Sequence, residues 1–141
     1  MFGLLKKKLE GGAQRLNGNT DLLEAIAAAC ALVAAADGDI SDQELDTAIN
    51  AVAANSTLSA AFDARTINAV MDKMLAQANT GRMGKRSLMK EVEDVAGKPD
   101  SEMVLLIALD IADSDGNIDA DERAVLDKIA ATLSLKVSDF E

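Results

Sequence analysis

A chain of 141 residues, 49% of them apolar, is long enough to bury one core and too hydrophobic to stay disordered. Its net charge of −10 argues against nucleic acid as the main partner, and the absence of histidine removes the commonest general base and transition-metal ligand. Alanine and leucine dominate the apolar set and proline occurs once, at Pro99, a composition that favours helix throughout.

Residues 1–20 form a lysine-rich lead segment, with Lys6, Lys7, Lys8 and Arg15, interrupted by Gly11-Gly12 and Asn17-Gly18-Asn19. Its bases follow its apolar residues and no long apolar stretch is present, a poor match to a signal peptide. It reads as a solvated first helix, with a weakly amphipathic surface segment as the alternative. The helical domain is expected over 21–141. The run Leu22 to Ala36 is apolar except for Glu24 but spans only 15 residues, short of the roughly 20 that a membrane span needs. It predicts a buried core helix that starts at Asp21 and ends at the Asp37-Gly38 turn. Cys30 lies inside this run; alone in the chain, it can form no internal disulfide and reads as a small buried hydrophobe.

A second helix is expected from about Ser41 to Ala54, where Leu45, Ala48, Ile49 and Val52 share one helical face. A short helix near 59–62 follows. Asp63 starts an amphipathic helix with Ile67, Val70, Met71, Met74, Leu75 and Ala78 on one side, ended by Asn79-Thr80-Gly81. The next helix, about 84–96, turns Leu88, Met89, Val92 and Val95 inward. Gly97-Lys98-Pro99-Asp100 is a stop and a restart, with Asp100 or Ser101 as cap. Helices at about 101–113 and 119–133 complete the chain, and the tail folds back to lay Val137 and Phe140 on the core edge. No segment alternates with period two over strand length. The expectation is an all-α, compact bundle of about seven helices with an internal pseudo-two-fold helix–turn–helix repeat.

The repeat is carried by a doubled motif. Asp37-Gly38-Asp39-Ile40-Ser41-Asp42-Gln43-Glu44 recurs as Asp115-Gly116-Asn117-Ile118-Asp119-Ala120-Asp121-Glu122, at an offset of 78 residues and without a gap. Turn and cap chemistry accounts for much of it. Gly38 supplies the left-handed turn, Ser41 and Asp119 are N-caps, and Glu44 and Glu122 are their capping-box partners. Asp39, Asp110, Asp113 and Asp115 are not needed for capping, and five acids between Asp113 and Glu122 repel one another unless a cation offsets them. Carboxylates are hard donors suited to Ca²⁺ or Mg²⁺. The second copy overlaps the latter half of an EF-hand calcium loop. Asp113 fits that pattern, but Ile111 stands where the first ligand belongs, and in the first copy Val33 and Ala35 occupy the corresponding ligand positions. A complete EF-hand is therefore not expected, and any cation site is expected to centre on the second copy, with the first contributing more weakly.

The charge is polarised. Residues 100–141 hold 11 acids against 3 bases, whereas Arg82, Lys85, Arg86 and Lys90 form a basic group in the middle of the chain. The chain has no CxxC pair, GxGxxG, Walker motif or Ser–His arrangement, so an enzyme is not expected.

On the residues "CALVAAADGDISDQE", "IALDIADSDGNIDADERAVLDKIAATLSL" and the closing "VSDF", the chain resembles the TerB family of tellurite-resistance proteins. The resemblance implies an all-helical, pseudo-symmetric cytoplasmic protein. It implies partners among other tellurium-resistance proteins, including a membrane-embedded one and calcium-binding ones, and a role in metal-linked stress or phage defence. It also implies metal-binding acids, which by position fall on Asp37, Asp39 and Glu44 and on Asp115, Asp119 and Glu122; Asn117 stands where the first copy has Asp39, so the two donor sets differ. With Asp113 added from the loop pattern, the candidate metal ligands are Asp37, Asp39, Glu44, Asp113, Asp115, Asp119 and Glu122. The expected function is a non-enzymatic binding or scaffold module in tellurite resistance or stress response. Its acidic surface would take a divalent cation, Ca²⁺ or Mg²⁺, and its basic patches would meet a protein partner or a membrane surface. The alternative is a purely structural protein–protein adaptor whose acidic motifs are helix caps.

Overall fold

A computed structural model describes residues 3–114 and 116–141, with backbone alone at 3, 4 and 6. Among these residues the chain forms nine α-helices and no strand. They are α1 (Gly3–Leu9), α2 (Gly12–Leu16), α3 (Thr20–Ala34), α4 (Asp42–Ala53), α5 (Ser56–Ala61), α6 (Ala64–Ala78), α7 (Gly81–Val95), α8 (Glu102–Asp113) and α9 (Ala120–Thr132), closed by a 3-10 turn at Val137–Phe140. The fold is all-α, as expected. The lead segment, expected as one solvated helix, forms two, α1 and α2, ahead of the seven helices expected over 21–141.

The long apolar run becomes the axis of the bundle. From Leu22 to Val33 every residue of α3 except Glu24 is buried, because α4, α6, α7, α8 and α9 all pack on it. A helix apolar all round has to be enclosed in this way, and its many alanines let neighbouring helices come close. α8 is the second buried helix, with Met103 to Leu109 fully covered. α6 presents Ile67, Met71, Met74, Leu75 and Ala78 to the core, as its spacing requires, and Val70 is half-buried. Val137 and Phe140 are buried, so the tail folds back; Lys8 stacks over the Phe140 ring and Arg123 pairs with Glu141 at 2.6 Å.

Five features differ from expectation, each for a local reason. α5 begins at Ser56 rather than near residue 59, because the Asn55 side chain caps it. α3 stops at Ala34 rather than at Asp37, and residues 35–37 form a turn in which the Gly38 N–H bonds to the Ala35 carbonyl. α7 begins at Gly81, because Asn79-Thr80-Gly81 makes a corner between two helices and not a loop. At that corner a Cβ on Gly84 would collide with the Gln77 carbonyl and the Thr80 hydroxyl, so the approach of α6 to α7 needs a glycine there. Asp100 does not cap α8. It holds a positive φ of 65°, and its carboxylate, with that of Glu102, binds Arg15 at 2.7 and 2.6 Å. This ion-paired fork ties α2 to the start of α8. Finally, α1 is solvated on only one side: Lys7 and Lys8 are exposed, while Leu5 is buried where α1 meets α8 and the closing turn.

Among the described residues no helix is long and apolar enough to cross a membrane.

Candidate functional site

Both copies of the Asp-Gly motif end in the same capping box. In the first, Ser41 Oγ accepts from the Glu44 N–H at 3.2 Å and Glu44 Oε1 accepts from the Ser41 N–H at 3.0 Å. In the second, Asp119 Oδ1 accepts from the Glu122 N–H at 2.8 Å and Glu122 Oε1 accepts from the Asp119 N–H at 3.1 Å. Each closes a capping box over the first turn of α4 or α9. The bond from the Ser41 backbone, followed by that with its side chain, holds the Glu44 carboxyl below the usual glutamate value.

The fold brings these two first turns to one place. Asp37, Glu44, Asp119 and Glu122 line a cleft of about 180 Å³ whose apolar wall is Val33, Ala34 and Ala36 at the end of α3. The cleft thus draws two acids from each copy of the motif and, among the described residues, no base. The remaining candidates are placed elsewhere. Asp39 is exposed and lies outside this cleft. Asp113 is half-buried and lines a different hollow with Asp110, Ala54 and Ser56, between α4, α5 and the end of α8. Asp115 lies outside the described residues. Among the described residues, the cleft is therefore shared between both copies and not centred on the second.

The donors are hard oxygens, suited to Ca²⁺ or Mg²⁺. Among the described residues no three of them converge closely enough to form a dry cage around one ion. An ion held there would have to keep its water shell and meet the carboxylates through it, the habit of Mg²⁺.

Several residues that shape this region have no signal in the periodicity of the sequence. Asn79, read there only as a helix breaker, clamps the first loop: its Oδ1 accepts from the Ile40 N–H at 2.8 Å and its Nδ2 donates to the Ile40 carbonyl at 3.0 Å. Asn55 caps α5 and donates to Asp110 at 2.9 Å, which gives that acid a structural role. Lys85 reaches from α7 to the Ala35 carbonyl at 3.3 Å, just past the end of α3. Cys30 lies at a mixed groove of about 420 Å³ between α3, α4, α8 and α9, which Glu44 and Glu122 also line; burial pushes its thiol up to about 12.

The basic group expected in the middle of the chain also acquires a shape. Lys85, Arg86 and Lys90 on α7 face Lys128 on α9 across a groove of about 920 Å³, with Glu93 as the one acid lining it among the described residues. Its floor is Leu32, Ala35, Met89 and Val125.

A profile of the family described as tellurite resistance protein TerB matches residues 23–141. No match to the chain was found among curated proteins or among solved structures. The matched region holds α3 to α9 almost entire, both Asp-Gly motifs, the acidic cleft and the basic groove, and on that basis the chain belongs to the TerB family of tellurite-resistance proteins.

Proposed function

We propose that this protein serves tellurite resistance as a non-enzymatic binding module whose acidic cleft takes a hydrated divalent cation. The observation that carries the reading is the meeting of Asp37, Glu44, Asp119 and Glu122 in one small cleft. Four carboxylates there repel one another, and a cation in their midst offsets that repulsion. The capping boxes engage one oxygen each of Glu44 and Glu122 and hold both side chains in place before any ion arrives. Reduction of tellurite by this chain is disfavoured, because Cys30 is the single thiol and is buried with a raised pKa. Partners fit the same reading as protein surfaces, other tellurium-resistance proteins among them, recruited in the cytoplasm by the basic face.

The test is a Mg²⁺ and Ca²⁺ titration of the isotope-labelled chain followed by backbone NMR at near-physiological salt. Saturable shifts are expected at residues 37–44 and 119–122 in the millimolar range. Asp37→Asn removes a cleft carboxylate that belongs to neither capping box, and it should weaken binding by about tenfold, or roughly 1.4 kcal/mol. Absence of saturable shifts up to about 10 mM, beyond the weakest calcium modules, refutes the cation and leaves the adaptor reading, in which the acids are caps alone.

A further inference from the structure

We infer that the groove between α7 and α9 is a docking site for an acidic amphipathic helix of a protein partner. The inference rests on the binding-module reading and supplies the chemistry of the partner. Three observations carry it. First, the rim is cationic in a chain of net charge −10: Lys85, Arg86 and Lys90 on one wall and Lys128 on the other, against Glu93 alone among the described residues. Second, the floor is aliphatic and recessed beneath those charges, formed by Leu32 and Ala35 at the end of α3, Met89 and Val125. An apolar floor between like-charged walls complements a helix that carries an apolar stripe flanked by acids. Third, Met83 is 82% exposed and stands on the flank of α7 that bears Arg86 and Lys90, at i, i+3 and i+7. A flexible methionine beside a groove adapts to an incoming apolar side chain.

Dimensions agree with this occupant. Lys85 to Glu93 covers eight residue steps of α7, roughly 12 Å at the helical rise, which matches two to three turns of a docked helix. A flat anionic bilayer fits less well, because most of the apolar surface lies at the bottom of a concave site. Among the described residues Met83 is the one large apolar side chain that projects strongly.

The test uses the full chain, isotope-labelled, and two series of helical peptides. Both carry the same leucine stripe; one has glutamate flanks and the other lysine flanks. The glutamate series should bind at least tenfold more tightly, with shifts confined to α7, α9 and the end of α3. Arg86→Glu with Lys128→Glu, one substitution on each wall, should weaken that binding by tenfold or more while the spectrum stays dispersed. Lys136→Glu, on the tail, should change it less than twofold. Four results overturn the inference: equal binding of the two series, no binding by either up to millimolar peptide, shifts mapping elsewhere, or binding to phosphatidylglycerol vesicles without binding to the glutamate peptides. Self-association through this face, seen by sedimentation and abolished by the double reversal, would make a second copy the occupant and equally overturn it. The cation titration reports at residues 37–44 and 119–122, so failure of one proposal is distinguishable from failure of the other.

Discussion

Replacing Gly84 with alanine sets two effects of known sign against each other. Gly84 is buried at the α6–α7 corner. On helix propensity alone alanine is better than glycine by about 1 kcal/mol. The added methyl, however, would collide with the backbone carbonyl of Gln77 and with the Thr80 hydroxyl. Thr80 Oγ1 already donates to the Gln77 carbonyl at 2.8 Å, so neither atom can step aside without breaking that bond. Overpacking against fixed atoms costs about 1–3 kcal/mol, and because relief here requires the two helices to part, the upper half of that range applies. The expected net loss is about 1–2 kcal/mol, a fall in Tm of roughly 3–8 °C for a chain of this size. Urea unfolding followed by far-ultraviolet circular dichroism measures it. Ser87→Ala, on the exposed face of the same helix, is the propensity control and should stabilise by a few tenths of a kcal/mol. If Gly84→Ala is as stable as the parent or more so, the close approach of α6 and α7 is refuted.

Two further outcomes follow from single contacts. Asn79→Ala removes both hydrogen bonds to Ile40; it should cost about 1–3 kcal/mol and speed amide exchange over residues 37–41, and unchanged exchange there would show that the clamp holds nothing. Cys30, with its pKa pushed up to about 12 by burial, should resist a thiol reagent at pH 8 in the native protein and react at once in denaturant, whereas labelling of the native chain at the rate of a free thiol would refute its burial.

The sequence makes the helices easy to read and the contacts between them hard to read. The α6 stripe, the Ser41 and Asp119 caps and the returning tail each depend on residues close in the chain, and each is found where spacing puts it. The fates of Asp100 and Asp110 depend on Arg15 and Asn55, which are 85 and 55 residues away. Local rules therefore offered Asp100 beside Ser101 as the cap, where Ser101 takes the N-cap position, and left Asp110 without a role. The meeting of Glu44 with Glu122 was hidden for the same reason: a repeat in sequence says that two turns are alike, and only packing around α3 says that they adjoin. The basic group was visible as composition, but Lys128 joins it from another helix, and the apolar floor comes from a third.

Ala36 lies in the wall of both the acidic cleft and the basic groove. A single short turn therefore separates a wall of carboxylates from a wall of lysine and arginine side chains. Two ligands of opposite charge would sit almost back to back, the cation weakening the negative field that opposes the acidic helix and the helix weakening the positive field that opposes the cation. By thermodynamic linkage, any gain that one confers on the affinity of the other is returned in equal measure. Small side chains at Ala35 and Ala36 keep that partition thin, so a bulky residue at Ala36 would narrow both sites at once.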